Sequence, residues 1–335
     1  MPLLEFTDRG IYCRPADVYL DAWRPVDRVI VTHGHSDHAR WGHRHYLAHH
    51  LSVPIMKARL GQDITIEGKN YNEPFTINGV TFSLHPAGHI IGAAQVRVEH
   101  KGEVWVFTGD FKTENDGISA PFEPVKCHAF ITECTFGIPA FQWQTQQTIF
   151  DDINQWWNKN REDGKVSVIS AYSLGKAQRI LQGIDPSIGP IYTHGAVENM
   201  NQVIRDSGIS LNPTTYINKE VDKKQLKGAL VIAPPSALGT PWQRSLGTAS
   251  TAVASGWMGL RGARRRRSVD RGFILSDHAD WKGLNETVIA TGAERVIATH
   301  GYSNIFTRWL REQGLDARTE ATQFEGEGTE TADGE

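Results

Sequence analysis

Thr32-His33-Gly34-His35-Ser36-Asp37-His38 decides the reading of this chain, because it sets four metal-competent side chains within six residues. It directly follows an apolar, β-branched run, Arg28-Val29-Ile30-Val31. A strand ending there places the imidazoles of His33 and His35 side by side, since side chains alternate along an extended chain. Asp37 and His38 then point to a neighbouring position as the chain turns. Such an arrangement suits two adjacent ions rather than one. The other reading is a His-rich surface loop, since His43, His45, His49 and His50 follow closely. Further ligand-type residues downstream favour the metal reading.

Those residues share a pattern. A short β-branched or aromatic run leads to a Gly or polar residue with a reactive side chain. Val80 to Leu84 leads to Pro86-Ala87-Gly88-His89, and Val104 to Thr108 leads to Gly109-Asp110. Phe130-Ile131-Thr132 leads to Glu133, Phe273-Ile274-Leu275 to Ser276-Asp277-His278, and Arg295 to Thr299 to His300-Gly301. Strand ends gathered on one rim are where layered α/β folds build sites.

The middle of the chain alternates strand and helix. Val166 to Ile169, Ile191-Tyr192-Thr193 and Leu230 to Ala233 read as strands, with helices over Leu174 to Ile184 and Val197 to Ser207. That alternation predicts a small parallel-sheet unit. It lies between Asp110 and His300, so it reads as an insertion into a first domain that resumes near Arg271. The expected boundaries are 1–150 and 271–319 for the first domain, 151–270 for the insertion and 320–335 for a tail.

With 335 residues, 39% hydrophobic and 22% charged, the chain has the composition of a globular protein with room for two units. The N-terminus lacks the apolar segment of a secretory leader, and no stretch approaches the roughly 20 apolar residues of a membrane helix. Cys13, Cys127 and Cys134 are too few and too oddly spaced for a disulfide framework, so a cytoplasmic setting is expected. The net charge of −3 is unevenly spread: six acidic residues and no basic ones lie from Glu320 onward, leaving 35 basic against 32 acidic elsewhere. The tail reads as disordered. Arg264-Arg265-Arg266-Arg267 is either a solvated loop or a contact for a polyanion.

These motifs resemble the β-CASP nucleases of the metallo-β-lactamase fold, and among them the bacterial ligase-associated DNA exonucleases. The resemblance spans roughly residues 4–320. Its carriers are Tyr19 to Asp27, Thr32 to Ala39, His85-Pro86-Ala87-Gly88-His89, Thr108-Gly109-Asp110-Phe111, Thr132 to Gly137, Ser276 to Trp281 and Thr299-His300-Gly301-Tyr302. Ser255-Gly256-Trp257-Met258 before the arginine run points to the ligase-associated subgroup. The implied fold is α/β, a metallo-β-lactamase αββα sandwich with an inserted β-CASP α/β domain.

By that resemblance, His33, His35 and His89 hold one metal, Asp37, His38 and His300 hold a second, and Asp110 bridges them. Nitrogen and oxygen donors suit Zn²⁺ or Mn²⁺. Two such ions can clamp a phosphodiester for in-line attack by water. Asp21, which fits the first family motif better than Asp17, orients a ligand. His278 protonates the leaving 3′-oxygen or stabilises a phosphate, and Glu133 sets its tautomer. Asp280 either supports His278 or holds a turn.

Ser170, Tyr172, Ser173 and Lys176, between strand and helix, form a candidate phosphate site together with the Arg264–Arg267 run. Ordinary helix capping by Ser173 is the alternative. His194 either has a structural role or faces the same groove, and Trp242, Trp257 and Trp281 are core residues or base-stacking platforms. The implied activity is a two-metal DNA exonuclease of repair, leaning 5′-to-3′ with a 5′-phosphate preference. Its implied partners are DNA, an ATP-dependent DNA ligase and a helicase, with no membrane. The alternatives are an RNA-processing nuclease, a small-molecule thioester or lactone hydrolase, and a binding-only relative. No ligand position is missing, which argues against the last.

Overall fold

The computed structural model describes residues 2–260, 262 and 269–324. Arg264, Arg265, Arg266 and Arg267 lie outside the described residues, as does the chain after Phe324. The described strands, in chain order, are β1 (Glu5–Phe6), β2 (Ile11–Cys13), β3 (Val18–Leu20), β4 (Arg28–Ile30), β5 (His45–His49), β6 (Ile66–Lys69), β7 (Phe75–Ile77), β8 (Val80–Pro86), β9 (Ala94–His100), β10 (Glu103–Phe107) and β11 (Ala129–Cys134). Then follow β12 (Val166–Ser170), β13 (Ile191–Thr193), β14 (Thr215–Tyr216), β15 (Leu230–Ala233), β16 (Ala249–Ala254), β17 (Arg271–Phe273), β18 (Arg295–Gly301) and β19 (Asp316–Thr319).

Two compact units divide the chain: Met1–Gln142 with the segment from His278 onward, and Trp143–Asp277. In the first unit, one sheet has the order β1-β2-β3-β4-β5-β6 and a second the order β19-β18-β11-β10-β9-β8-β7. The two sheets face each other over a shared core. Ile11, Val18, Leu20 and Ile30 come from one sheet, and Phe82, Val96, Trp105 and Ile131 from the other. Helix Ser52–Leu60 covers the outer face of the first sheet, burying Met56 against Val29, Val31 and Tyr46. Helices Trp281–Thr291 and Ser303–Glu312 pack on the second sheet, against β11 and β18. The result is the αββα sandwich that the resemblance implied.

Strand direction places the site. Strand β9 is antiparallel to both β8 and β10, so β8 and β10 run the same way. Strands β11 and β18 continue that direction in parallel. The carboxyl ends of β8, β10, β11 and β18 therefore share one rim, and they deliver His89, Asp110, Glu133 and His300.

In the second unit β14-β13-β15-β12-β16-β17 form a wholly parallel sheet. Every residue of β12 is buried, as a parallel strand covered on both faces requires. Helix Gln146–Glu162 buries Ile149, Phe150, Ile153, Trp156 and Trp157, a spacing that lays one apolar stripe on the core.

Three local expectations differ from the structure. Strand β17, at the start of the segment expected to rejoin the first domain, is the edge strand of the second unit's sheet. A three-residue strand carries no mark of the sheet it will join. The segment expected to hang loose from Glu320 stays packed as far as Phe324, which is buried in the sandwich core. One large aromatic outweighs the polar composition around it. The helix after β12 begins at Lys176, two residues later than expected. Gln178 accepts from Gly175 N at 2.7 Å and donates to Ser173 O at 2.9 Å, so Ser173 does not cap this helix.

Candidate metal centre

Asp21 sits at the end of β3 with a left-handed φ of 41° and is fully buried. Its Oδ1 accepts from Thr32 N at 2.7 Å, and its Oδ2 accepts from Thr32 Oγ1 at 2.6 Å. The same Oδ2 lies 2.7 Å from His38 Nδ1. These bonds determine tautomers. A carboxylate only accepts, so His38 carries its proton on Nδ1 and turns a lone pair outward at Nε2. Thr32 gives its one hydroxyl proton to Asp21, so it accepts from His33 Nδ1 at 3.0 Å. His33 Nε2 is then also a lone pair. Thr299 repeats the device: its hydroxyl donates to Thr132 O at 3.2 Å and faces His300 Nδ1 at 3.0 Å.

These nitrogens converge. His35 Nδ1 lies 3.2 Å from His33 Nε2 and 3.1 Å from His89 Nε2. Ligands of one tetrahedral ion at about 2.0–2.1 Å stand roughly 3.3 Å apart. The Asp110 carboxylate reaches His33 Nε2 at 3.5 Å and His89 Nε2 at 3.8 Å on one side. On the other it reaches His38 Nε2 at 3.5 Å and His300 Nε2 at 3.1 Å. Two groups able to hold an ion result, His33–His35–His89–Asp110 and His38–Asp110–His300, with Asp110 common to both. Asp37 stands outside the second group, but its Oδ2 approaches His38 Nε2 at 3.5 Å.

The donor set fits cations. Lone pairs on three imidazoles face an acceptor-only carboxylate, and His38 Nε2 is buried with no hydrogen-bond partner. A positive charge between them resolves the repulsion. Burial opposes charge on His38, but the carboxylates of Asp110 and Asp37 outweigh it and raise its pKa well above the ordinary value, so Nε2 takes a proton in the place a cation would otherwise fill. Burial, reinforced by His38 and His89, keeps His33 neutral.

Beside this pair lies a third group, Asp110–Glu133–His278. Glu133, at the end of β11, is buried and fully engaged. Its Oε1 accepts from Phe111 N at 2.8 Å and its Oε2 from Thr135 Oγ1 at 2.5 Å. His278 Nδ1 lies 2.8 and 2.9 Å from the two oxygens. The His278 ring is 4.8 Å from that of His89.

No family profile matches the chain. It is 34% identical over 315 residues to a probable DNA ligase of Opitutus terrae, a match covering 92% of this chain and 30% of that protein. It is 28% identical over 223 residues to an RNase J-like protein of Methanocaldococcus jannaschii, covering 57% of this chain and 52% of the relative. Cleavage and polyadenylation specificity factor 73 of Drosophila melanogaster is 25% identical over 324 residues, covering 80% and 47%. The chain thus spans between about a third and a half of the length of these relatives. A solved protein of unknown function from Enterococcus faecalis V583 shares the fold, with a TM-score of 0.61 at 11% identity over 89% of this chain and 80% of that one.

The chain has the metallo-β-lactamase fold with an inserted β-CASP unit and resembles the nucleases built on it.

The two early aspartates of this β-CASP fold differ in what they touch. Asp21 touches His38, whereas Asp17 accepts from Tyr12 Oη at 2.8 Å away from the centre. Asp280 caps helix Trp281–Thr291, accepting from Gly283 N at 2.8 Å. His194 likewise caps its helix through Ala196 N at 3.1 Å. Trp281 packs on Phe306 and Trp309, and Trp242 on His194.

In the second unit, Ser170 Oγ is buried without a hydrogen-bond partner. Lys176 is buried there too, 3.6 Å from Asp277 and above the Tyr172 ring at 4.9 Å. Arg179 also meets Asp277, at 3.3 Å, and donates to Ser276 O.

Sequence reasoning missed Thr32, Thr135, Thr299 and Arg59, the last donating to Gly34 O within the ligand loop. Thr32 and Thr299 each directly precede a histidine at a strand end, a signal that was present. Arg59 comes from a separate helix and left none. Cys13, Cys127 and Cys134 are buried free thiols, and among the described residues no helix is long and apolar enough to cross a membrane.

Proposed function

We propose that this protein is a metal-dependent DNA exonuclease hydrolysing phosphodiester bonds from strand ends in repair. The observation that carries it is the Asp110 carboxylate standing between two imidazole groups, with the Glu133–His278 pair at its side. His33, His35 and His89 with Asp110 would hold one Zn²⁺ or Mn²⁺, and His38 and His300 with Asp110 and Asp37 the other. Bound there, the ions supply Lewis acidity and positive charge against the phosphate. The residues do the remainder. Glu133 accepts the Nδ1 proton of His278 and favours the imidazolium, whose second proton, on Nε2, is the one given to the departing 3′-oxygen. Phe111 N and Thr135 Oγ1 hold Glu133 in register for that task.

A DNA substrate is favoured by the ligase-associated motifs and by the relative named as a probable DNA ligase, whose match covers nearly the whole chain. That relative also supports a link to an ATP-dependent ligase, and the family resemblance adds a helicase. A 5′-phosphate read by Ser170, Tyr172, Ser173 and Lys176 fits the buried Ser170 Oγ that has no hydrogen-bond partner, and implies 5′-to-3′ polarity. The RNA-processing alternative is favoured by the RNase J-like relative.

The test is cleavage of 5′-phosphorylated linear single-stranded DNA with added Mn²⁺ or Zn²⁺, beside matched RNA and circular DNA. Mononucleotide release from linear DNA, abolished in Asp110→Ala and reduced roughly 10²–10⁴-fold in His278→Ala, supports the reading. Equal cutting of circles rejects an exonuclease. Faster cutting of RNA moves the assignment to RNA processing.

A further inference from the structure

Beyond β19 the chain runs across the two segments that supply His38 and His300. Glu320 N donates to Ala298 O at 3.0 Å, on the strand that leads to His300. Arg40, two residues past His38, donates to Gln323 O at 3.3 Å. Just beyond these ties Phe324 turns inward. Its ring stacks on the His38 imidazole at 4.3 Å and 12°, and meets His300 edge-on at 5.7 Å and 75°. Trp23 and Phe107 close around it at 5.6 and 6.1 Å. His33 covers the other side of His38 at 4.3 Å.

The hydrogen bond to Asp21 restrains one edge of the His38 ring but not its tilt. A flat aromatic face is what restrains tilt, and it also keeps water from the ring. We propose that Phe324 is a positioning residue for the second ion position alone: it clamps His38 and His300, while His33, His35 and His89 do not depend on it. The inference rests on the two-metal reading above.

Mn²⁺ titration of the metal-free chain, counting bound ions by the electron-spin signal of the free ion, tests it. Chains ending after Phe324 and after Gln323 differ in Phe324 alone. The first is expected to bind two ions as the full chain does. The second, and Phe324→Ala, should keep the first ion and bind the next at least roughly tenfold more weakly. Phe324→Leu keeps apolar volume without a flat face, so it should fold as the full chain does, by its urea midpoint, yet still lose second-ion affinity. Undiminished binding of both ions by Phe324→Ala or Phe324→Leu overturns the proposal. So does parallel loss of both ions with a lowered midpoint, which marks a merely structural residue. A full-length chain that binds fewer than two ions overturns the two-metal reading beneath it.

Discussion

Asp21 illustrates how the centre works at the scale of single residues. It touches no cation in the proposed arrangement, yet through Thr32 and His38 it sets which imidazole nitrogen is bare. Asp21→Asn keeps the shape but can no longer accept at every contact, so metal affinity should fall about 10–100-fold while the fold persists. Competition with a chelator of known affinity measures this, and unchanged affinity would reject the tautomer argument. Glu133→Gln poses the parallel question for chemistry. If His278 acts as an acid, turnover should fall with little change in metal affinity, because Glu133 contacts His278 and not the histidine groups. The candidate ligands were legible in sequence since four of them are local. The threonines that orient them were not, because a hydroxyl's role depends on which acceptor the fold brings to it.

Elements carry these side chains by the way their ends are built. Strand β10 passes into Thr108-Gly109-Asp110, where Gly109 has a φ of 56° and an added Cβ would stand 2.5 Å from Thr32 Oγ1. Gly109→Ala therefore strains the backbone by about 1–3 kcal/mol and pushes Thr32 from Asp21 and His33. Urea unfolding should show the destabilisation, and metal titration a weakened first ion. By contrast, Asp280→Ala removes a helix cap worth about 1 kcal/mol and should leave metal binding unchanged. Loss of metal there would mean that Asp280 supports His278 after all. Strand positions were mostly legible from β-branched runs. Sheet membership was not, as β17 shows, because pairing is decided by partners far along the chain.

At the scale of the whole molecule, two buried histidines away from the centre couple stability to pH. Burial lowers His43 to about 4 and His49 to about 3, and each keeps one ring nitrogen without a hydrogen-bond partner. Both are neutral in the folded chain, whereas unfolded histidine titrates near 6.5. Below about pH 6.5 the unfolded state binds protons that the folded state does not. Their contribution is thus complete above that pH and is lost as pH falls toward about 4. The slope is roughly 1.4 kcal/mol per pH unit for each group. Urea unfolding between pH 7 and 5 should show the decline, and His49→Gln should remove one group's share. An unchanged slope in that variant would reject the assignment. The His-rich stretch that first suggested a surface loop is in part core.

From local sequence came the candidate ligand residues, the strand ends that bear them and the inserted parallel-sheet unit, while the sandwich and the Glu133–His278 pairing were implied by resemblance. These are short-range patterns: periodicity, turn chemistry and motif spacing survive in one dimension. Tertiary structure alone decided that Asp110 stands between two imidazole groups, that Asp21 rather than Asp17 reaches His38, and that Phe324 folds back onto His38 and His300. Each joins residues distant in the chain, and no local propensity encodes which distant side chain will fill a given face. Packing of the two sheets over one core makes that choice.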